Sequence, residues 1–427
     1  MILFSRFMNN SKSWAIFAGF SLIAALEFSR IHVPYCVKNK FKYRCRYLVK
    51  HLVAKAARLG SALYLNSEPI LYRNLLKCVR LIQRIDDSYF KNINIIDSTA
   101  KNCKIRIYSP KNSTDDLQPA MFYYHGGGFC FNSIDDYHHI LLPLASELKM
   151  ILIAVEYPLA PEHTYPLPIE EAFLETNFVL NNLEKYDLNI DLNRIVLAGD
   201  SAGANIATVL SILINPPTQY FNMLLPSMIK YANIESFMPR SKMILWHLGI
   251  GHVKSSQENF LIKNFHTLLI DEHFREKLKS YMDVNLIPEA YRNGIEYYDN
   301  YDKLNDLVYP EKIGKEDKNI DENFEVLLKQ LFNIDVSPGL ADDELLRKQP
   351  KTFMIISEQD TRKDEGLIYA QRLSNNGVQV DIAYYDNVFH TSFFYPEETN
   401  HPMRGDIITQ IPKNPYFLNL LKYHCQK

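Results

Sequence analysis

The sequence lacks the cysteine patterns of a zinc or redox site. Among its 427 residues there are six cysteines, with no Cys-x-x-Cys pair and no grouping of cysteine and histidine at zinc-ligand spacing. The sequence therefore predicts neither a metal nor an organic cofactor. The even number of cysteines allows one or two disulfide bonds, and a chain with every thiol free is an equally open alternative. The six are Cys36, Cys45, Cys78, Cys103, Cys130 and Cys425.

An excess of one charge is also missing, because 47 lysine and arginine residues face 49 aspartate and glutamate residues. A formal net charge of −2 argues against nucleic acid as a partner, since binding a polyanion requires a basic surface. The sequence has no internal repeat or low-complexity segment. Its 47% hydrophobic residues suffice for one large core, or for a core and a smaller lid.

No apolar run is long enough to span a membrane unaided. Residues 14–26 carry no charge, but as a helix they would extend roughly 20 Å, short of the ~30 Å hydrocarbon core of a bilayer. We interpret residues 1–34 as an N-terminal membrane anchor or signal segment, and in an anchor Phe28, Ile31 and Val33 would complete the apolar run. A cleaved signal peptide and a buried helix stay open as alternatives. Basic residues on both sides leave the orientation open, and those after the run could instead lie on lipid head groups.

Hydrophobic periodicity predicts an α/β fold. Residues 35–88 have apolar side chains at helical spacing, and two segments that alternate between polar and apolar residues, 91–96 and 104–108, predict half-exposed antiparallel strands. From residue 120 onward, continuous apolar runs alternate with helical segments, which is typical of a mainly parallel sheet with helices on both faces. These runs are residues 120–124, 151–155, 194–198, 352–356 and 378–386.

The alternation is interrupted between about residues 235 and 345. Short helical pieces there are rich in Phe, Tyr, Lys and Asp and are joined by Pro and Gly. We expect this stretch to be an insertion above the sheet, with the helices of residues 35–88 as its partners.

A five-residue motif predicts a catalytic serine. Gly199, Asp200, Ser201, Ala202 and Gly203 form the pattern Gly-x-Ser-x-Gly between a buried strand and a helix. A sharp strand-to-helix turn crowds the backbone, so glycine is needed two residues on either side of the serine. The turn would lift the serine hydroxyl above the sheet edge, beside the N–H groups at the start of the helix. We therefore predict Ser201 as a nucleophile.

A glycine-rich loop follows another buried strand and consists of His125, Gly126, Gly127 and Gly128. Three consecutive glycines let the backbone pass close to a ligand and direct N–H groups towards it. Ester hydrolysis builds negative charge on the carbonyl oxygen, and each such donor would stabilise it by roughly 3–4 kcal/mol. The expected donors are the N–H groups of Gly127, Gly128 and Ala202. A phosphate-binding loop is the weaker alternative, because no Gly-Lys-Ser/Thr motif opens a helix here.

A serine nucleophile needs a base, and His390 is the candidate because it directly follows a predicted strand. Asp360 follows the strand before it, and the chain order of serine, aspartate and histidine is that of the triad in α/β-hydrolases. Parallel strands bring the loops at their carboxyl ends to one edge of the sheet, so these residues would converge there. From the pattern alone the acidic member stays open, since Glu358, Asp364 and Glu365 lie close to Asp360.

Taken together, these motifs resemble the hormone-sensitive-lipase branch of the α/β-hydrolases. Within that branch the chain is similar to arylacetamide deacetylases and neutral cholesterol ester hydrolases. The similarity covers roughly residues 90–395. Its motifs are residues 125–129, 157–163, 199–203, 340–343, 360–366 and 377–380.

The resemblance implies an α/β-hydrolase fold in which residues 35–427 form the catalytic domain, with a helical cap from residues 35–88 and 235–345. It favours Asp360 over its acidic neighbours and implies hydrolysis of hydrophobic acyl esters or arylacetamides through an acyl-enzyme on Ser201. It also implies a single-pass anchor in the endoplasmic reticulum membrane, with the catalytic domain in the lumen. A non-catalytic ligand-binding protein on the same fold is the main alternative.

Overall fold

The computed structural model describes residues 19, 22, 24–34, 37–77, 87–111, 117–213, 225, 227, 230, 239–292, 298, 310, 321–390 and 392. The strands of this part of the chain are β1 (Ile93–Thr99), β2 (Lys104–Pro110), β3 (Gln118–Tyr124), β4 (Ile151–Val155), β5 (Ile190–Gly199), β6 (Thr352–Gln359) and β7 (Val380–Phe389). Its helices are α1 (Lys40–Ala62), α2 (Glu68–Lys77), α3 (Ile134–Leu148), α4 (Leu167–Leu180), α5 (Ala202–Leu213), α6 (Arg240–His247), α7 (Ser255–Ile262), α8 (Glu272–Tyr281), α9 (Glu322–Lys329), α10 (Asp343–Arg347) and α11 (Lys363–Asn375).

The strands form a five-stranded sheet in the order β1-β2-β4-β3-β5 and a separate pair, β6-β7. The ladders β3–β4, β3–β5 and β6–β7 are parallel, whereas β1–β2 and β2–β4 are antiparallel. The predicted α/β fold with a mainly parallel sheet is therefore confirmed. We expected one continuous sheet, whereas the described strands form a five-stranded sheet and a separate two-stranded sheet.

Helices cover both faces of the larger sheet because its central strands are apolar on both sides. Phe122 and Ile153 point into a cluster that contains Ile206 of α5. Their neighbours Met121 and Leu152 point to the opposite face, where they pack with α3. Successive residues of a strand face opposite ways, so a continuous apolar run requires two covering layers.

The N-terminal helices pack beside the loop that follows β3. Ala57 of α1 and Tyr72 of α2 share a cluster with Phe131 and with Trp246 of α6. The Tyr72 and Phe131 rings meet edge to face, with centroids 5.1 Å apart. The helices predicted in residues 35–88 thus contact a helix of the mid-chain insertion, and the domain bounds themselves stay a prediction.

The segment before α1 contacts the folded core. Residues 24–30 are helical, and the largely buried Glu27 pairs with Lys55 of α1 at 2.7 Å. Ile31 is 5% exposed and lies in a cluster with Phe389, so protein covers a side chain that we expected to extend a membrane segment.

None of the helices in the described part of the chain is long and apolar enough to cross a bilayer. Most of the apolar run at residues 14–26 lies outside that part.

Three cysteines are described, and all three are free thiols. Cys103 and Cys130 are buried and Cys45 is partly exposed. The other three cysteines lie outside the described residues.

Candidate active site

Ser201 occupies a tight turn between the end of β5 and the start of α5. Its φ of +53° lies in the left-handed region, which costs a residue with a side chain on the order of 1–3 kcal/mol. The turn also forces close backbone contact, since a Cβ atom at Gly203 would lie 1.9 Å from the carbonyl oxygen of Tyr124. The predicted strand–serine–helix geometry is thus present, and it requires glycine at position 203.

The loop after β3 runs beside this turn and has the backbone shape that the glycines predict. Gly127 and Gly128 have φ values of +127° and +60°. A Cβ atom at Gly128 would lie 2.5 Å from Sδ of Met243, so helix α6 covers the loop closely. Within the described residues, nothing accepts a hydrogen bond from the N–H groups of Gly127, Gly128 or Ala202. These amides can therefore donate to a bound oxygen.

The carboxylate of Asp200 joins the glycine loop to the serine turn. It accepts hydrogen bonds from the N–H of Gly126 at 3.0 Å and from the hydroxyls of Tyr123 and Tyr137 at 3.0 and 2.8 Å. Burial raises the pKa of Asp200, while the two tyrosine hydrogen bonds and the positive charge of His390 oppose that rise. The sequence motif contains Asp200 but does not indicate its side-chain partners, which come from β3 and α3.

The loop is held from its other side by Tyr157. Its hydroxyl donates a 2.6 Å hydrogen bond to the carbonyl oxygen of His125, and the two rings stack with centroids 4.5 Å apart. Three residues further on, the N–H of Ala160 donates to the carbonyl of Phe129 at 2.8 Å. Residues 157–163, singled out only by the family resemblance, therefore fix the conformation of the glycine loop.

Asp360 and His390 follow directly after two paired strands. Gln359 of β6 is the partner of Phe389 of β7, so the next residue of each strand lies side by side. Nδ1 of His390 lies 2.7 Å from Oδ2 of Asp360. Burial would raise the pKa of Asp360, but the charge and hydrogen bond of His390, with the charge of Arg362, hold it well below its ordinary value. The predicted pair is therefore in contact, with an ionised carboxylate.

This alignment depends on a bulge in β7. From Ser357 to Gln359 the chain of β6 advances two residues, while its partner advances four, from Tyr385 to Phe389. If the two strands advanced in step, His390 would lie roughly 6–7 Å beyond its present position relative to Asp360. No signal in the sequence indicated the bulge.

The structure differs from expectation at the other nitrogen of His390. Nη1 of Arg362 lies 2.8 Å from Nε2, the nitrogen that we expected to face Ser201. Within the described residues no hydrogen bond joins Ser201 to His390, and the nitrogen expected to face the serine is in contact with the guanidinium. Arg362 lies in the motif of residues 360–366, and its place two residues after Asp360 is the only signal in the sequence for this contact.

Beside this site lies a small cavity of about 10 Å³. Arg362 and Gly128 line it from the core, and Met243 and His247 line it from α6. His247 stacks on Phe129 with ring centroids 3.9 Å apart, and burial lowers its pKa to about 3. His247 is thus a neutral wall of the cavity.

Among the described residues, one cluster with metal-ligand chemistry lies outside this site, at Cys103, Glu171 and Glu175, whose ligand atoms lie within 4.8 Å of one another. Glu175 accepts the backbone N–H groups of Lys101 and Asn102 at 2.6 and 2.7 Å. Burial and the neighbouring Glu175 raise the pKa of the Cys103 thiol to about 12, so it stays protonated. These contacts stabilise the turn between β1 and β2.

Comparison with known proteins supports this fold. A family model described as the alpha/beta hydrolase fold matches residues 121–237 and 310–394, which contain the glycine loop, the serine turn, Asp360 and His390. The chain has the α/β-hydrolase fold. This α/β-hydrolase is of the carboxylesterase and deacetylase type, as the proteins similar to it indicate.

The similar proteins are enzymes. Arylacetamide deacetylase of Bos taurus is 28% identical over 400 residues, 87% of this chain and 92% of that protein. Neutral cholesterol ester hydrolase 1 of Rattus norvegicus is 26% identical over 320 residues, 70% of this chain and 73% of that protein.

Solved structures agree on the fold. A fungal esterase from Rhizomucor miehei has a TM-score of 0.56 and 19% identity, over 83% of this chain and 91% of its own. A thermostable esterase from Pseudomonas putida has a TM-score of 0.55 and 18% identity, over 93% of this chain and 100% of its own.

Proposed function

We propose that this α/β-hydrolase cleaves carboxylic esters of hydrophobic acids, or arylacetamides, through an acyl-enzyme on Ser201. The observation that carries the proposal is the hydrogen bond of 2.7 Å between His390 and Asp360, formed by residues that directly follow paired strands. A strained serine turn and three N–H groups without a described acceptor support the same chemistry. Gly128 of the glycine loop and Arg362, two residues after Asp360, line the same cavity, which supports the closeness of the two halves of the site.

In the proposed reaction the oxygen of Ser201 attacks the acyl carbonyl carbon while Nε2 of His390 takes the hydroxyl proton. The carbonyl oxygen becomes an oxyanion and accepts hydrogen bonds from the N–H groups of Gly127, Gly128 and Ala202. The C–O or C–N bond then breaks, and His390 returns its proton to the leaving group. Water attacks the acyl-enzyme by the same route and releases the acid and the free serine.

Asp360 orients His390 and stabilises the imidazolium that forms during each step. Its lowered pKa keeps it ionised, as this role requires. His390 can accept the serine proton only after the Arg362 guanidinium leaves Nε2, so the reaction includes a movement of Arg362.

The cavity beside the site and the names of the relatives support the proposed substrate class. Phe129, Met243, Ile244 and Val336 give the small cavity a mainly apolar lining. A volume of about 10 Å³ holds no more than about one water molecule. An acyl chain therefore requires helix α6 to shift, and we expect hydrophobic acyl groups to drive that shift by covering apolar surface.

Active-site labelling and turnover together test the proposal. A fluorophosphonate probe should label Ser201, and 4-nitrophenyl esters from acetate to decanoate should be compared with an arylacetamide and a cholesteryl ester. Ser201→Ala should abolish labelling and reduce ester turnover by about 10³-fold or more, as loss of a triad serine does.

The matched control is Ser280→Ala, because Ser280 lies on α8 and bonds only its own helix. Ester turnover that survives in Ser201→Ala, or labelling equal in both variants, would contradict the proposal.

We also propose attachment to a membrane surface, with residues 1–34 as the anchor in the endoplasmic reticulum membrane and the catalytic domain in the lumen. Helix α1 supports surface contact, since it carries seven basic residues and no acidic residue. Phe41, Leu52, Leu59 and Leu63 follow helical spacing along one side and are between 36% and 70% exposed. A basic helix with an apolar stripe is typical of helices that lie on anionic bilayers.

Sedimentation of the full chain with vesicles tests this attachment. We expect binding to vesicles that contain phosphatidylserine to exceed binding to phosphatidylcholine alone, and to weaken in Leu59→Ser/Leu63→Ser. Leu192→Ser is the control, because that side chain is 57% exposed but lies at β5. Equal binding by both variants to both kinds of vesicle would exclude α1 as the contact.

A further inference from the structure

His390 directly follows a bulge in strand β7, so the strand ladder alone does not fix the direction of its imidazole. After Tyr385 the chain of β7 leaves the regular pairing with β6, and its next partner is Gln359, opposite Phe389. A bulge redirects the side chains that follow it, and a shift of one residue would turn Phe389 and His390 to opposite faces. What holds the Phe389 side chain therefore helps to decide where the imidazole points.

The ring of Phe389 lies in a buried aromatic cluster formed by the N-terminal part of the chain. Tyr43 of α1 meets this ring edge to face, with centroids 5.6 Å apart and ring planes at 89°. Tyr47 stacks on Tyr43 at a centroid distance of 4.2 Å, and Ile31 and Val37 complete the cluster. Tyr43 and Phe389 are each 1% exposed. The ring next to the base is thus held by a helix from the other end of the chain.

Helix α1 has contacts of its own that do not involve β7, so it can act as a support for the cluster. Its Lys55 pairs with the largely buried Glu27 at 2.7 Å. Ala57 lies in the cluster that joins α1 to helices α2 and α6. Tyr43 and Tyr47 are one helical turn apart and therefore lie on the same face of the helix. Both rings are consequently carried by one element that is anchored elsewhere in the core.

We propose that Tyr43 is a positioning residue for His390 and acts through the ring of Phe389. With that ring held, Nδ1 of His390 faces Asp360 at 2.7 Å, and the imidazole keeps one orientation in both halves of the reaction. The inference rests on the proposed function and adds a residue of the N-terminal helix to the same site. Helix α1 would then serve catalysis through its buried side, besides the membrane contact proposed for its exposed side.

The first test removes the ring of Tyr43 but keeps an apolar side chain, in Tyr43→Leu. We expect kcat for 4-nitrophenyl butyrate to fall about 10-fold or more, because a displacement of the base by about 1 Å has effects of that size. KM should stay within about twofold, since the variant leaves the residues that line the cavity unchanged. Tyr43→Phe keeps the ring and should retain the wild-type kcat within about twofold.

Labelling of Ser201 by the fluorophosphonate probe separates a misplaced base from a loss of folded protein. The rate of labelling depends on His390 and should fall together with kcat in Tyr43→Leu. The final extent of labelling counts the correctly folded sites and should stay at the wild-type level, whereas a purely structural role would lower that extent.

Tyr186→Leu is the matched control, because this tyrosine is 6% exposed and lies before the start of β5, at the end opposite Ser201. It should lower the unfolding free energy but leave kcat and the rate of labelling within about twofold of wild type.

A double variant tests whether the effect passes through Phe389. Phe389→Leu should lower kcat as Tyr43→Leu does, and the double variant should be no more than about twofold slower than the slower single variant. Phe389→Leu also carries the first test if Tyr43→Leu does not fold, because it removes the same ring contact from the side of β7.

A kcat that stays within about twofold of wild type in folded Tyr43→Leu, or losses that multiply fully in the double variant, would overturn the role of Tyr43. An equal loss of labelling rate in Tyr186→Leu would do the same. Ester turnover that persists in Ser201→Ala would instead overturn the proposed function, so the two failures are distinguishable.

Discussion

At the scale of single residues, the site contains two aspartates whose pKa values are shifted from the ordinary value. Asp360 stays ionised because the charge and hydrogen bond of His390 outweigh the effect of burial on its pKa. Asp200 is the opposite case, since burial prevails and raises its pKa. One carboxylate thus serves as a permanent anion beside the base, and the other accepts three hydrogen bonds, from strand β3, helix α3 and the glycine loop.

Asp360→Asn should leave the fold intact and lower kcat by about 10³- to 10⁴-fold, because the amide favours the wrong tautomer of His390. The pH dependence follows from the sign of the shift. Because the pKa of Asp360 is lowered in the folded state, the ionised carboxylate stabilises the protein at pH values above its ordinary pKa of 3.8. That contribution is lost as the pH falls towards the lowered pKa. Urea titrations between pH 3 and 7 should therefore show a steeper acid decline for wild type than for the variant. Parallel curves would contradict the assignment.

At the scale of elements, the strand and helix pattern follows the hydrophobic periodicity closely. The run 151–155 is strand β4 without change, and the run 352–356 lies within β6. The ends of the elements are less well predicted. The run 378–386 predicts an earlier end for β7, which continues to Phe389 and so places His390 directly at the site. Elements also constrain one another, and the crossing of β3 with the start of α5 leaves no space for a methyl group at Gly203.

Gly203→Ala tests that crossing. A Cβ atom there would lie 1.9 Å from one backbone oxygen and 2.7 Å from another, so either the helix or the strand must move. We expect a loss of at least about 3 kcal/mol in unfolding free energy, measured by urea denaturation, together with loss of Ser201 labelling.

Gly251→Ala is the control for that variant, because nothing lies within 4 Å of its Cβ position. Its unfolding free energy should stay within about 0.5 kcal/mol of wild type. Equal unfolding free energies for Gly203→Ala and Gly251→Ala would mean that β3 and the start of α5 do not cross closely.

At the scale of the whole molecule, the helix over the site is tied to the core by a buried ion pair. Arg240 of α6 and Glu365 of α11 have side chains that are each 6% exposed. Burial raises the pKa of Glu365, and the charge of Arg240 opposes that rise. The pair thus joins the mid-chain insertion to the element that follows Asp360, and it holds one wall of the cavity in place.

Arg240→Met should destabilise the protein by about 3–5 kcal/mol near neutral pH, since it leaves a buried carboxylate without its partner. The pKa of Glu365 then rises further above its ordinary value of 4.5, so the folded state binds a proton that the unfolded state has lost. The deficit should consequently be smaller at pH 4.5 than at pH 8.

Adding Glu365→Met should recover part of the stability that Arg240→Met loses. If the double variant loses as much unfolding free energy as the two single variants together, the two side chains do not interact.

The sequence by itself determined the local parts of this α/β-hydrolase. Strand and helix periods, the Gly-x-Ser-x-Gly turn and the triple glycine depend on residues near one another in the chain, and their physical causes act over a few residues. Only the tertiary structure decided which partners meet across long separations. The bulge that aligns His390 with Asp360, the donors of β3 and α3 that hold Asp200, and the guanidinium of Arg362 on Nε2 all depend on register and on side-chain direction. A shift of one or two residues changes these contacts completely while leaving the hydrophobic pattern the same.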